Sequence, residues 1–184
     1  MYGLIHRAIR DFYVETRSDD AWARFSEEHP VDPDIFEAMH AYDDSVSYGL
    51  VGAASASLGM AVSDFLQEFG HFWVLHTGRK HYGVIMELGG SNFREFVTNL
   101  DAMHEQIAMS FTDLKQPSFR VENERSDGLV LAYHSDRPGL APFVVGLLAG
   151  LGRYFEESVS VEQIRSKGDG AESDAFLVKG LRSD

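Results

Sequence analysis

The chain has 184 residues, no cysteine and a formal charge of −13, from 29 acidic and 16 basic side chains. Its length corresponds to about one domain, and 44% hydrophobic with 24% charged residues is the composition of a soluble globular protein. The lack of cysteine excludes disulfides, thiolate metal sites and iron–sulfur clusters. The acidic charge disfavours nucleic acids and anionic membrane surfaces as partners.

Helical spacing of apolar residues dominates the first part of the chain. Leu4–Tyr13 has the i, i+3, i+4 pattern of a buried helix face, and Ser18 is placed to cap a second helix that stops near His29–Pro30. Asp32-Pro33 is typical of the start of another helix. The segment Ser45–Gly59 is rich in small residues that allow close backbone approach.

Helical patterns continue through the middle of the chain, with one interruption. Ser63–Val74 predicts a helix that begins with a Ser63 cap, whereas Gly78–Gly90, with four glycines, predicts a looser segment. Asn92–Phe111 then carries a long helical stripe, for which we predict a break near Asn99–Asp101.

After Pro117 the apolar period changes from helical to alternating. The pattern predicts two strands, a helix and two further strands, over Ser118–Glu124, Leu129–Ser135, Gly139–Glu157, Val159–Arg165 and Ala175–Lys179. Helices followed by an antiparallel ββαββ unit indicate an α+β fold with a four-stranded sheet.

Membrane and export signals are missing from these patterns. No apolar stretch reaches the ~18 residues of a spanning helix, and the longest, Gly139–Leu151, is typical of a buried helix. Met1–Arg10 lacks the apolar core of a signal peptide. We therefore expect a cytoplasmic protein without a membrane segment.

His104 stands out among the eight histidines. It lies on the apolar stripe of the predicted helix, next to Met103 and Ile107. A histidine in such a position is either a hydrogen-bonded core residue or a metal ligand that binds through one ring nitrogen. The residues themselves leave both interpretations open.

A second polar group follows the second predicted strand. If the chain stays extended, Tyr133, Ser135 and Arg137 lie on one face, because alternate residues of a strand share a face. Two hydroxyls and a guanidinium beside an apolar core suit a carboxylate. The alternative is a strand end with a solvated polar face.

These residues together resemble the heme nitric oxide/oxygen binding (H-NOX) family, akin to the heme domain of soluble guanylate cyclase. The resemblance rests on His104, Pro117 and the Tyr-x-Ser-x-Arg motif at 133–137. It extends to the Met-Tyr-Gly start and to stretches at 51–55, 69–73 and 139–152, and is greatest to stand-alone members of cyanobacterial type. It implies one domain over 1–184, with a distal helical part over 1–62, a proximal part with the sheet over 63–184, and heme between them.

By this resemblance, His104 is the proximal ligand of the iron of heme b, and Tyr133, Ser135 and Arg137 bind the heme propionates. The chain supplies burial, orientation and polarity, and the chemistry is the cofactor's.

The resemblance also assigns the apolar contacts of the heme. Pro117 presses on the macrocycle from the proximal side and Ile5 from the distal side. Trp73 and Phe143 line the distal pocket, with Leu147 nearby. Oxygen-binding members carry a tyrosine at the position of Phe143, so the implied ligands are NO and CO, with O₂ largely excluded. The indole N–H of Trp73 is the one donor that opposes this expectation.

The implied function is a gas sensor that is not itself an enzyme. NO would weaken the bond between iron and His104, and the change would pass to a partner such as a histidine kinase, a cyclic-nucleotide enzyme or a chemotaxis receptor.

Two alternative functions remain from the residues alone. One is an enzyme that uses carboxylate and histidine acid–base chemistry, although the chain has no H-E-x-x-H, G-x-S-x-G, P-loop or G-x-G-x-x-G motif. The other is a metal-free module for an apolar ligand or a protein, with His104 in the core.

Overall fold

The computed structural model describes residues 1–29, 37–109 and 115–182. The chain divides into two compact units, Met1–Phe69 and Gly70–Asp184. The expected single domain with an internal boundary after residue 62 stays a prediction. The helix expected to start at Asp32-Pro33 lies outside the described residues.

The first unit is helical. Its helices are α1 (Gly3–Thr16), α2 (Asp19–Glu28), α3 (Asp44–Leu58) and most of α4 (Val62–Phe72). Ser18 caps α2 as predicted, since its hydroxyl accepts a hydrogen bond from the Ala21 N–H at 3.1 Å.

Ser63, by contrast, does not cap α4. The helix begins one residue earlier, at Val62, and the Phe65 N–H donates to the Ala61 carbonyl at 2.9 Å. The Ser63 hydroxyl donates to the neighbouring Asp64 carboxylate at 3.3 Å. A backbone carbonyl therefore takes the bond that a capping side chain would accept.

The segment expected to be loose, Gly78–Gly90, is helical, and that prediction is wrong. A π-helical segment, Trp73–Gly78, leads into α5 (Arg79–Gly89), with a kink at Tyr82. Packing explains one of the glycines: a Cβ on Gly89 would lie 2.8 Å from the ring of Phe96. Close contact with the next helix offsets the poor helix propensity of glycine.

Helix α6 (Phe93–Ala108) runs without the break predicted near Asn99–Asp101. The Asn99 amide donates to the Gly89 carbonyl at 3.0 Å, and Asp101 accepts hydrogen bonds from the following strand. Both side chains find partners outside α6, so they do not compete with its backbone. The predicted end of this helix, Phe111, lies outside the described residues.

The second unit contains the predicted ββαββ arrangement. Strands β1 (Ser118–Arg125), β2 (Gly128–His134), β3 (Ser160–Arg165) and β4 (Asp174–Lys179) form an antiparallel sheet in the order β1-β2-β4-β3. Helix α7 (Ala141–Tyr154) shares a core with the sheet and α6, which includes Leu131, Val144, Leu148 and Phe176. The α+β prediction is confirmed.

Helix α7 is shorter than the predicted Gly139–Glu157. It ends at Tyr154, and Glu156 adopts a left-handed backbone with φ 58° that stops the helix.

Among the described residues, no single helix is both long and apolar enough to cross a membrane. Only the consecutive stretches Asp44–Leu58 and Val62–Gly89 reach that length and composition when taken together.

Candidate functional site

His104 lies in the fourth turn of α6, half-buried, and its Nδ1 has no hydrogen-bond partner among the described residues. Burial lowers the pKa of the imidazole, while the Asp101 carboxylate and the Pro117 carbonyl act in the opposite direction. The ring is therefore neutral near pH 7, which is the form that binds a metal. A buried nitrogen without a partner is unusual in a core and fits a ligand.

The chain around Pro117 is fastened to the same helix on both sides of the proline. The Asp101 carboxylate accepts the Phe119 N–H and the Ser118 hydroxyl, both at 2.6 Å. On the other side, the Gln116 amide donates to the carbonyl of His104 itself. Pro117 is thus held beside His104, and a shift of α6 would act directly on the start of β1.

Sequence reasoning missed Asp101 and Gln116. The spacing of Asp101 was the available signal, because a residue three positions before His104 lies on the same side of the helix. Gln116 gave no signal, since its contact depends on how the chain returns to α6.

The three predicted donors are arranged differently from an extended strand. Strand β2 ends at His134, and Ser135 and Arg137 follow in a bend, in which the Ser135 hydroxyl accepts the Arg137 N–H at 3.1 Å. The prediction that Tyr133, Ser135 and Arg137 share one face of a strand is therefore wrong for Ser135 and Arg137, which lie beyond the end of β2. Tyr133 is buried against Phe119, with ring centroids 5.1 Å apart.

Arg137 is half-buried, and its Nη1 donates to the Lys115 carbonyl at 2.8 Å. That bond ties the bend to the segment that precedes Pro117. A guanidinium has five N–H donors, so one side chain can make several such contacts.

The predicted apolar residues of the second unit lie on two helical segments. Trp73 opens the π-helical segment, and Phe143 and Leu147 are one turn apart on α7; all three are half-buried. Gly70, on α4 three residues before Trp73, allows α4 to approach α7 closely, because a Cβ there would lie 2.2 Å from the Phe143 carbonyl. The sequence did not identify this role of Gly70, which depends on a tertiary contact.

Ile5 belongs to α1 of the first unit, where it is half-buried. Its predicted contact with the distal side of a heme stays a prediction.

The sequence profile of a family described as Haem-NO-binding matches residues 2–163. The chain belongs to the Haem-NO-binding, or H-NOX, family. This is a family of heme-binding gas-sensor domains that also occur in soluble guanylate cyclases, and the resemblance stated from the sequence is confirmed.

Curated relatives include two soluble guanylate cyclases of Caenorhabditis elegans. The H-NOX chain is 27% identical to gcy-31 over 163 residues, which are 88% of this chain and 23% of that protein. It is 31% identical to gcy-33 over 144 residues, 78% of this chain and 14% of that protein. The chain spans less than a quarter of the length of these relatives.

Solved structures of similar fold include an H-NOX protein from S. oneidensis in the Fe(II)NO ligation state. It has a TM-score of 0.85 and 20% identity, with complete coverage of both chains. The Fe(II) unliganded H-NOX protein from K. algicida has a TM-score of 0.79 and 17% identity, and covers 100% of this chain and 98% of its own. At these identities the likeness concerns the fold.

Proposed function

We propose that the chain is a sensor that binds heme b through His104 and detects NO and CO. The observation that carries this proposal is the half-buried, neutral imidazole of His104, whose Nδ1 has no partner in the described part of the chain. When bound, the heme would supply the iron at which the gas binds. The role of the chain would be to ligate that iron through His104 and to shape the surroundings of the group.

Tyr133, Ser135 and Arg137 are proposed to hold the heme propionates. Their donors are two hydroxyls and a guanidinium, and a bidentate bond from arginine to a carboxylate is among the stronger polar contacts. The bond between Ser135 and Arg137 orients the bend in advance. Pro117, held between contacts to Asp101 and His104, is proposed to press on the macrocycle.

Gas selectivity is proposed to follow from the side chains of α7 and the π-helical segment. Phe143 and Leu147 carry no donor, so neither stabilises the partial negative charge of bound O₂. A hydrogen bond to a charged group contributes ~1.5–3 kcal/mol, and its loss weakens binding roughly tenfold to a hundredfold. NO depends much less on such a donor, so we expect NO and CO binding with O₂ largely excluded. Trp73 is the residue that opposes this expectation, because its indole N–H is a hydrogen-bond donor.

The signal is proposed to leave through α6. Release of His104 would free α6 to shift, and the Asp101 and Gln116 contacts would move the start of β1 with it. A partner would distinguish the two positions only if it has a different affinity for each. A histidine kinase, a cyclic-nucleotide enzyme or a chemotaxis receptor would fit this role, and the chain itself would act as a cytoplasmic sensor rather than as an enzyme.

Reconstitution with hemin tests the proposal. We expect a Soret band at one heme per chain, distinct ferrous spectra under NO and CO, and no stable oxy complex in air. A stable oxy complex would contradict the selectivity alone. A protein that stays colourless would contradict the sensor and support the metal-free module, whereas turnover without heme would support the enzyme.

A further inference from the structure

Glu157, three residues after α7, has a buried carboxylate that joins two distant parts of the second unit. Its Oε1 accepts the Phe93 N–H at 3.1 Å, and its Oε2 accepts the Arg182 N–H at 2.9 Å. Phe93 is the first residue of α6, and Arg182 lies beyond β4. One carboxylate thus links the helix that carries His104 to the segment Gly180–Arg182.

The start of α6 needs this contact. A helix leaves its first N–H groups without partners inside the helix. The capping residue Asn92 accepts the Glu95 N–H at 2.9 Å, which leaves the Phe93 N–H to a different acceptor. A carboxylate suits this position, because the N-terminal end of a helix carries partial positive charge.

The backbone next to Glu157 is shaped to present the carboxylate. Glu156 has a positive φ of 58°, an uncommon conformation for a residue with a side chain. The Glu157 N–H donates to the Gly152 carbonyl at 2.8 Å, and the Glu156 carbonyl accepts the Arg182 guanidinium at 2.7 Å. Such a conformation persists only where the surroundings hold it.

A second path runs parallel to the first. Arg94, the next residue of α6, donates through Nη2 to the Arg125 carbonyl at 2.6 Å, at the turn between β1 and β2. In the same turn, the Asp127 carbonyl accepts the N–H groups of Gly180 and Leu181 at 2.8 and 3.1 Å. The first turn of α6 and the segment after β4 are therefore connected on both sides.

We propose that Glu157 is a positioning residue that couples α6, and with it His104, to the segment Gly180–Arg182. His104 lies eleven residues after Phe93, about 16 Å along a straight helix at 1.5 Å per residue. A helix of this length moves as one body, so a shift at His104 displaces the Phe93 N–H and, through the carboxylate, Arg182. The proposal extends the proposed output through α6 and rests on it.

A first experiment tests the contact without any ligand. Arg182→Pro removes the N–H that binds Glu157, whereas the control Arg182→Ala keeps it and removes only the exposed guanidinium. We expect hydrogen exchange at the Phe93 amide to be roughly tenfold faster in Arg182→Pro than in Arg182→Ala, since the carboxylate loses one of its two donors. Equal exchange in the two variants would overturn the coupling.

A second experiment measures transmission in the heme-loaded protein. In the wild type and in Arg182→Ala, NO should change hydrogen exchange in both the first turn of α6 and Gly180–Arg182. In Arg182→Pro and Glu157→Gln, each combined with Arg94→Ala to cut the parallel path through the Arg125 carbonyl, the change should stay in α6 and fall at least severalfold in the segment relative to Arg94→Ala alone. Glu156→Gln is the matched control and should respond like the wild type.

The two levels of the hypothesis fail in different ways. An undiminished response of Gly180–Arg182 in Glu157→Gln combined with Arg94→Ala, or an equal loss in Glu156→Gln, would overturn the role of Glu157 while heme binding stands. A missing Soret band would contradict the sensor function, and the Phe93 exchange comparison would still decide whether the contact couples the two segments.

Discussion

His6 in the first unit and His104 in the second show two ways of burying an imidazole. His6 has no exposed surface, its Nε2 lies 2.7 Å from the Ser47 hydroxyl, and its ring meets Tyr42 edge-on at 5.6 Å. His104 keeps part of its surface exposed, and its Nδ1 has no partner within the described ranges. Burial lowers the pKa of both.

The comparison shows that a lowered pKa alone does not identify a ligand. Ser47 and Tyr42 enclose His6 inside a helical unit, which is how a core histidine is accommodated. His104 instead is only half-buried, as the proposed contact with a cofactor requires. Surface access and the Ser47 hydroxyl at Nε2 of His6 distinguish the two residues, so experiments on one serve as controls for the other.

The largest effect on stability is expected at His6. Burial, assisted by the N-terminal charge, lowers its pKa to about 4 from 6.5. The unfolded chain therefore takes up a proton first as the pH falls, so stability is lost between about pH 6.5 and 4. The full loss is about 3 kcal/mol at ~1.4 kcal/mol per pKa unit.

Urea unfolding followed by Trp22 fluorescence measures this loss, in a Trp73→Phe background because the chain has only two tryptophans. Trp22 reports on the first unit, where it is buried against Tyr13. A His6→Gln variant should lose most of the pH dependence. An unchanged pH dependence in that variant would break the comparison between the two histidines.

Phe143→Tyr sharpens the ligand side of the comparison. The added hydroxyl would supply the missing donor, so O₂ affinity should rise roughly tenfold to a hundredfold. Aerobic spectra of the ferrous protein measure the effect, and Phe143→Leu serves as the donor-free control. If Phe143→Leu gained as much O₂ affinity as Phe143→Tyr, pocket volume rather than hydrogen bonding would control selectivity.

Asp101→Asn tests how tightly α6 is held to β1. The amide keeps the shape but replaces one acceptor oxygen with a donor, so one of two short hydrogen bonds is lost. We expect a loss of about 2 kcal/mol in unfolding free energy. Glu105→Gln removes an exposed carboxylate from the same helix and should change stability by less than about 0.5 kcal/mol. Similar losses in both variants would mean that helix charge, not the contact to β1, is responsible.

Periodicity predicted most of the architecture, because the stripes of the helices and the alternation of the strands are local properties. It failed where a partner is distant in sequence. From the sequence, Asn99 and Asp101 predict a break in the helix. In the structure, the Asn99 amide donates to the Gly89 carbonyl, and the Asp101 carboxylate accepts the Phe119 N–H. The four glycines at 78–90 likewise predict a loop, whereas close packing against Phe96 accounts for one of them.

In the candidate site, too, the sequence predicts local features but not contacts between residues that are distant in the chain. The residues of the motif could be named from the sequence, but Ser135 and Arg137 lie in a bend rather than on a strand face. The apolar pattern predicts Glu157 as the last residue of a helix, yet its carboxylate accepts hydrogen bonds from two segments that are 64 and 25 residues away. No local pattern contains that information.

The most direct test of heme binding through His104 compares two histidines that each have a buried Nδ1 without a partner in the described part of the chain, His104 and His134. After hemin reconstitution, His104→Gly should lose the Soret band of the wild type and regain it with added imidazole, while His134→Gly should keep it throughout. A wild-type Soret band in His104→Gly without imidazole would contradict the assignment of His104 as the iron ligand.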